Sequence, residues 1–573
     1  MKNFDVAYAL EEIAALLEIL GEDAFRVNAY RKAARGVEGY PGDVEDLARR
    51  DALSLIPGVG PALSAKIREL LDTGSIRYLE ELRKKVPPGV LGFLAIPGIG
   101  GKTASMLFNE LHLESLEELE NAARAGLLRG LRGFGEKKEA AILRGIEAFK
   151  KNASRILLAD VFALAHDLRD ALLAHAAVQR AELAGSFRRR RETVKDLDLV
   201  VASDHPDAVM DYFAGLPLIA EVTSRGDTKL SGTSRAGIGV DLRVVKHSEF
   251  AAALLHLTGS AEHNASLRGL AKDLGLKINE YGVWSEDGLL LRTDEEADLY
   301  SLLGLSFIPP ELRENRGEIE AAARAEIPEL ISLDCIRGDL HIHTRYSDGL
   351  GTIEEVAEQA ARWGYEYLAI TDHSRSLVIA HGLDAARLKA QGERIRRLND
   401  EMGAVRLLHG VEVDILPDGS LDHPDEVLAG LDVVVASVHS AFRQDRQTMT
   451  RRIIRAMENP HVDIVAHPTG RLIGRRDAYE VDIEEVIRAA KRTNTVLEIN
   501  ASPDRLDLSD VHARMAASFG VKIAINSDGH SVAAMHDMQF GVFNARRAWL
   551  TEEHVINTMP FERLQDFLAN HKK

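Results

Sequence analysis

Along the 573-residue chain the spacing of apolar positions changes character twice. Up to about residue 150 the apolar residues follow helical periods. The opening "FDVAYALEEIAALLEIL" carries acids through its apolar run, which predicts an amphipathic helix rather than a secretory leader. Two near-copies of one design follow, "IPGVGPALSAKIREL" from Ile56 and "IPGIGGKTASMLFNEL" from Ile96, with a weaker third, "LRGFGEKKEAAILRGI", from Leu131. Each is an apolar residue, a glycine turn and an amphipathic helix. From about residue 180 the period falls to two: "AELAGSF", "DLDLVVAS" and "GVDLRVV" predict β-strands. A Pro-Pro turn then opens a charged helical connector, Ile308–Leu330. Beyond it, short apolar strands ("YLAITDHS", "LLHGVEVDI", "DVVVASVHS", "VDIVAHP", "KIAINSDGH") alternate with helices such as "TIEEVAEQAARWG". Repeated βα units of this kind predict a β/α barrel with its site at the strand C-termini.

The glycine turns bring in the first candidate chemistry. Gly58, Gly60, Gly98 and Gly100 let backbone N–H groups approach an anion, and the helix that follows adds favourable partial charge. A single copy reads better as a helical bundle whose turns only reverse the chain. Three copies, with Lys66, Lys102 and Lys137/Lys138 close behind, favour helix-hairpin-helix grips on a DNA backbone. In "FRVNAYRKAARGV", Arg26, Tyr30, Arg31 and Lys32 can hold a terminal phosphate, or can form a solvated face.

Net charge complicates a nucleic-acid partner: 71 Lys and Arg stand against 89 Asp and Glu, a formal −18. The acidity is lightest where the glycine repeats lie, with 21 Lys and Arg against 23 Asp and Glu in residues 1–150. The single Cys335 excludes an internal disulfide and, with no apolar run near the ~18–20 residues of a membrane span, predicts a cytoplasmic, nucleoid-associated protein without a membrane partner. Fourteen of the 21 histidines lie after residue 330, which marks that half as a candidate metal site.

The stretch "GSFRRRRETVKDLDL" sets four arginines beside two aspartates. In a strand Asp196 and Asp198 share one face, and Asp241, in another alternating segment, can pair alongside. Three carboxylates on neighbouring strands suit two magnesium ions, and Gly185-Ser186 with arginines behind suits a triphosphate. The plainer reading is an exposed basic hairpin neutralised by its aspartates, which leaves unexplained why two acids share one face of an apolar strand.

These segments, with "LTGSAEHNASLRGL" at Leu257–Leu270, closely resemble the family-X DNA polymerases over about residues 1–310. The resemblance implies that Asp196, Asp198 and Asp241 bind two Mg²⁺ or Mn²⁺ ions and catalyse in-line attack of a primer 3′-hydroxyl on a dNTP, with Asp241 nearest that hydroxyl. It implies triphosphate contacts from Arg155, Gly185, Ser186 and Arg189, and contacts of Gly259, Asn264 and Arg268 with the nascent pair and template. Lys66 stands where lyase-proficient relatives keep a Schiff-base lysine, but Ala62 and Ala65 replace their usual neighbours, so a phosphate-contacting lysine is an equal reading. Two further departures are Lys195, where vertebrate relatives have glycine, and His256-Leu257, which replaces an aromatic pair and bears on sugar discrimination.

In the second half the strand-end candidates are His341, His343, Asp348, His373, Glu412, His439, His467, Asp528 and His530, whereas His381, His409, His423, His461, His512 and His536 fall outside the pattern. This half resembles the PHP (polymerase and histidinol phosphatase) domain over about residues 335–573, which implies a phosphoesterase with three Mn²⁺, Zn²⁺ or Fe ions. Arg471, Arg475 and Arg505 are weaker candidates for holding substrate phosphate. The expected order is a lyase-like helix-hairpin-helix domain (1–85), a fingers-like one (86–153), an α+β nucleotidyltransferase palm (154–245), a thumb (246–310), a linker (311–334) and a distorted β/α barrel (335–573). The expected function is monomeric gap-filling repair synthesis on gapped or primer–template DNA with a 5′-phosphate end. A fused 3′–5′ exonuclease accompanies it, with AP-endonuclease or 3′-end processing as further activities. The rival readings are a small-molecule phosphoesterase and a non-catalytic DNA end-binding scaffold.

Overall fold

The structure, a computed structural model, describes residues 3–38, 40, 44–96, 99–131, 133–153 and 155–570. It divides into two compact units: residues 1–154 with 376–381, and residues 155–375 with 382–573.

The first unit is helical around one apolar core that runs from Val6 to Ile146. The glycine repeats form as the sequence predicts. Gly60 and Gly100, both in extended backbone, cap helices Pro61–Thr73 and Gly101–Leu111, and open space surrounds the Cα of each. Gly58 sits at φ +90°, where a Cβ would press on the Lys32 backbone. The helix of the third repeat is Glu136–Ala153.

The second unit begins with a short antiparallel pair, β1 (Ile156–Leu157) with β3 (Thr193–Val194). Strands β2 (Arg180–Leu183), β4 (Asp196–Ala202), β5 (Ile219–Arg225), β6 (Lys229–Ser234) and β7 (Gly239–Val245) form a mixed sheet in the order β2-β4-β7-β6-β5. In β4, buried Leu197 and Leu199 alternate with partly exposed Asp196 and Asp198, the inside–outside pattern of a half-buried strand. Helices Phe250–Thr258 and Ala261–Asp273 then pack with the antiparallel strands β8 (Leu276–Asn279), β9 (Gly282–Ser285) and β10 (Leu290–Leu291).

Seven parallel strands follow in sequence order: β11 (Gly338–Ile342), β12 (Tyr367–Ile370), β13 (Arg406–Asp414), β14 (Val433–Ser437), β15 (Ile464–Val465), β16 (Val496–Asn500) and β17 (Ile523–Asn526). Most of their residues are buried, as expected for parallel strands covered by helices. The sheet curls until Ile342, at the end of β11, bridges Gly529 beyond β17, so the barrel is nearly closed. The core under the mixed sheet is continuous with this barrel, because Leu506 and Phe540 belong to it.

A buried ion cluster joins the mixed sheet to the region behind it. Glu296 accepts from Arg188 at 2.6 and 3.0 Å and from fully buried Arg313 at 2.6 Å. Burial alone would raise the Glu296 carboxyl, but Arg313 and Arg188 outweigh it and hold the group down at about 2. The stabilisation is therefore complete above the ordinary glutamate range and lost as pH falls towards about 2. Glu296→Ala leaves two inward cations without counter-charge and should cost about 3–5 kcal/mol in urea unfolding at neutral pH, followed by tryptophan fluorescence. Glu326→Ala, which removes an exposed partner of Arg324, should cost under ~1 kcal/mol in the same measurement.

Candidate functional site

Strand pairing assembles the first site. β4 and β7 run parallel with Asp198 directly opposite Asp241, and Asp196 lies two residues earlier on the same face. Burial and the charges of Asp196 and Asp241 push the Asp198 carboxyl up to about 7. On β6, Ser231 Oγ donates to Asp241 Oδ1 and Lys229 Nζ approaches Oδ2 at 3.0 Å. Three carboxylates gathered this closely, one of them holding its proton near neutrality, are suited to divalent cations. Gly185 backs onto them: at φ +60° a Cβ would lie 2.0 Å from Asp198 Oδ2. Ser186, partly exposed, follows it.

The expected triphosphate arginines are partly engaged. Arg155 bonds the Thr193 hydroxyl and carbonyl through Nε and Nη2, which leaves Nη1. Arg189 bonds Glu314 through Nε at 3.2 Å and the Thr258 carbonyl through Nη1, which leaves Nη2. Lys195 is exposed. Asn264 donates to the His256 carbonyl at 2.7 Å and shares a shallow concavity with Arg268 and His256. Gly259, at φ +69°, lies beside the Arg189 guanidinium.

In the helical unit Tyr78, which the sequence pattern does not single out, organises the basic candidates. Arg26 Nη2 donates to its hydroxyl at 2.6 Å, Tyr30 stacks on it, and Lys66 Nζ lies 4.8 Å from its ring centroid. Burial, and then Tyr78, push the Tyr30 hydroxyl up to about 12. Arg31, by contrast, is taken by Glu11 and Glu18. Gly98 lies outside the described residues.

The barrel strands converge eight of the nine candidates into three overlapping groups. These are His343/Asp348/His373/His530, His341/His343/Glu412/Asp528 and His373/Glu412/His439, with the ligand atoms of each group within 4.8 Å of one another. The ninth, His467, reaches Glu412 Oε1 at 3.1 Å. His341 Nε2, His343 Nδ1 and His467 Nδ1 are buried without a hydrogen-bond partner. Such orphaned nitrogens among carboxylates fit metal ligation. The electrostatics are divided. Burial and the neighbouring His530 and His373 drive His343 down to about 3, whereas Asp528, Glu498 and Glu412 overcome burial and hold His341 well above its usual value. Against burial, His439, His373 and His341 keep Glu412 far below the carboxylate range.

A supporting shell was not legible in the strand-end pattern. Glu498 accepts from His341 Nδ1 at 2.8 Å and Asp414 from His439 Nδ1 at 2.7 Å, orienting each ring so that Nε2 faces the cluster. Both are acids near strand ends, in "VLEIN" and "VEVDI", and that placement is the signal available. Arg505 lies 3.7 Å from Asp528, but Arg471 turns to Glu192 at 2.8 Å, and Arg475 is exposed.

The chain thus gathers a carboxylate triad on a mixed sheet and a histidine–carboxylate cluster in a barrel, two donor sets suited to divalent cations. Residues 253–314 match the DNA polymerase beta thumb and residues 339–502 the PHP domain. Residues 1–76 match a helix-hairpin-helix domain and residues 90–148 a SAM-like helix-hairpin-helix tandem. The chain is 42% identical over 574 residues, covering 100% of both sequences, to the DNA polymerase/3′-5′ exonuclease PolX of Bacillus subtilis (strain 168). It is 29% identical over 351 residues to DNA polymerase lambda of Rattus norvegicus, covering 54% of this chain and 56% of the relative. It is also 33% identical over 247 residues to a probable phosphatase of Thermoanaerobacter sp. (strain X514), covering 41% of this chain and 95% of the relative. The chain belongs to the PolX family, family-X DNA polymerases that carry a PHP domain.

If Glu498 orients His341, Glu498→Ala should reduce the affinity of the barrel for Mn²⁺ by about 10–100-fold. Equilibrium dialysis with metal analysis measures this, and Glu484→Ala, on an exposed helix face, should leave the affinity unchanged.

Proposed function

We propose that this chain fills short gaps in DNA from dNTPs at the Asp196/Asp198/Asp241 triad and trims or cleans 3′ ends at the PHP barrel. Polymerase and 3′–5′ exonuclease activities follow from family membership, and divalent metals follow from both domain types. The observation that carries the residue assignment is the parallel register that sets Asp198 against Asp241. Two Mg²⁺ or Mn²⁺ ions held there would supply Lewis-acid stabilisation of the charge that develops during phosphoryl transfer. The chain's own groups do the positioning. The Ser186 hydroxyl, Arg155 Nη1 and Arg189 Nη2 are the donors left for a triphosphate, and the flat approach past Gly185 keeps it against Asp198. Lys229 Nζ, at 3.0 Å from Asp241 Oδ2, balances the charge of that carboxylate and would compete with a metal for it. Asn264 and Arg268 line the groove assigned to the nascent pair and template.

At the barrel, His341, His343, Asp348, His373, Glu412, His439, His467, Asp528 and His530 would hold three ions, with Mn²⁺, Zn²⁺ or Fe as the candidates. Arg505, beside Asp528, is the substrate-phosphate contact of this site. The probable phosphatases resembling this half favour phosphoester hydrolysis as its chemistry, and AP-endonuclease or 3′-phosphatase action would use the same ligands. In the helical unit, Arg26, Tyr30 and Lys66 around Tyr78 bind a 5′-phosphate end, and Lys66 either contacts that phosphate or attacks an abasic sugar. The glycine turns at Gly58, Gly60, Gly98 and Gly100 hold the DNA backbone. We assign the protein as a monomer at the nucleoid; no helix among the described residues is long and apolar enough to cross a membrane.

A labelled one-nucleotide-gapped duplex with Mn²⁺ tests the division of labour. Asp196→Ala/Asp198→Ala should lose extension by a factor of at least about 10³ and still shorten the strand, and His341→Ala/His343→Ala should do the reverse. Loss of both activities in both variants would exclude two independent sites. Hydrolysis of a small phosphomonoester with no attack on DNA 3′ ends would favour the small-molecule reading of the barrel. Neither activity in the unmutated chain would favour a scaffold.

Because a cation must displace the proton of Asp198, metal affinity at the triad should fall about tenfold per pH unit below about 7 and level off above it. Mn²⁺ titration of extension rate between pH 5.5 and 8.5 reads this, and Asp198→Asn should abolish extension across that range.

A further inference from the structure

The arginine run is not exhausted by the proposed chemistry. Behind it, between the palm loop and the barrel, lies a cavity of about 230 Å³, well beyond the roughly 10–15 Å³ that one water requires. Five guanidiniums line it: Arg190 and Arg191 from the run, Arg316 from the connector, and Arg471 and Arg547 from the barrel. Only Glu192 and Asp510 oppose them there, and both are already spent. Glu192 pairs with Arg471 at 2.8 Å, and Asp510 with Arg316 at 3.0 Å and Arg547 at 2.8 Å. Arg191 has its nearest carboxylate, Glu314, at 3.8 Å.

Two nitrogens in this wall are buried without a hydrogen-bond partner, Arg190 Nη1 and Arg471 Nε. Arg190 is turned inward by a left-handed backbone at φ +54°, an uncommon conformation for a residue with a side chain, and its guanidinium rests on the Phe543 ring at 4.3 Å. Burial, more than any neighbouring charge, lowers the affinity of this group for its proton. Desolvated guanidinium with unused donors is costly unless an anion completes it, and forked N–H pairs match phosphate oxygens.

We propose that this cavity is a binding site for a small phosphate-bearing anion, separate from both catalytic centres. Three members of that class are orthophosphate, pyrophosphate and a deoxynucleoside monophosphate. The last two are the products that leave the polymerase and exonuclease reactions. Arg547 bonds the Arg189 carbonyl and Glu314, so an occupant held by Arg547 touches the loop that carries the proposed triphosphate donor.

Calorimetric titration of the full chain in EDTA, at ionic strength fixed with chloride, should be run separately with orthophosphate, pyrophosphate and dAMP. At least one should bind with a stoichiometry near one, and the arm that does so identifies the occupant. Arg191→Gln, which breaks no close ion pair, and Arg191→Gln/Arg471→Gln should weaken that binding at least tenfold and a hundredfold. Ser186→Ala and Arg324→Gln should leave it unchanged. Circular dichroism of each variant separates lost binding from lost folding, and the single substitution stands if the double variant fails to fold. The proposal is overturned if no arm binds at millimolar concentration, if the arginine variants bind as the unmutated chain does, or if Ser186→Ala alone removes the binding.

Discussion

Two inward-facing glutamates, Glu296 and Glu314, hold the polymerase half in one arrangement and join it to the barrel. Glu296 takes Arg188 and Arg313; Glu314 takes Arg189 at 3.2 Å and Arg547 at 3.0 Å. Removing such carboxylates from water is costly, and several guanidiniums per acid are what make it tolerable. The geometry of the arginine run follows from this. Arg188 is engaged by Glu296 and Thr258, and Arg189 by Glu314 and the Thr258 carbonyl, which fixes the direction of both guanidiniums.

The same constraint runs in the opposite sense at the two sites. There, like charges or uncompensated rings are gathered without enough internal partners. Asp198 holds its proton up to about 7 because burial and then the charges of Asp196 and Asp241 disfavour its ionised form, and His343 resists protonation down to about 3 because burial and other imidazoles surround it. Such arrangements are unfavourable for the bare chain and become favourable with cations, so ion binding and the order of the site are coupled. Glu498 and Asp414 show how the barrel prepares for this: their carboxylates fix ring orientation in advance, so that less has to be ordered when a ligand arrives.

Much of both sites could be read from local pattern. Period-two alternation placed Asp196 and Asp198 on one face, and polar groups at the ends of apolar strands picked out the histidines and acids that converge in the barrel, because a strand's repeat and a parallel sheet's edge are properties of short segments. The supporting residues could not be read this way. Tyr78 is one aromatic among many until Arg26, Tyr30 and Lys66 close around it, and Lys229 meets Asp241 only through the β6–β7 register. Glu498 and Asp414 look like any other acid until their histidine partners arrive, His341 from β11 and His439 from just beyond β14.

The arginine run draws the boundary most sharply. Its composition and its place before "DLDL" pointed, by sequence alone, to phosphate and metal chemistry nearby. Four identical side chains in a row carry no further information about themselves. Tertiary structure assigned them: Arg188 to Glu296, Arg189 to Glu314 and Thr258, Arg190 to the face of Phe543, and Arg191 to the rim of a cavity. The partners lie about 70 to 350 residues away. Which guanidinium meets which carboxylate or ring depends on how the palm, the connector and the barrel pack, and that packing includes Leu506 and Phe540 of the barrel in the core under the mixed sheet.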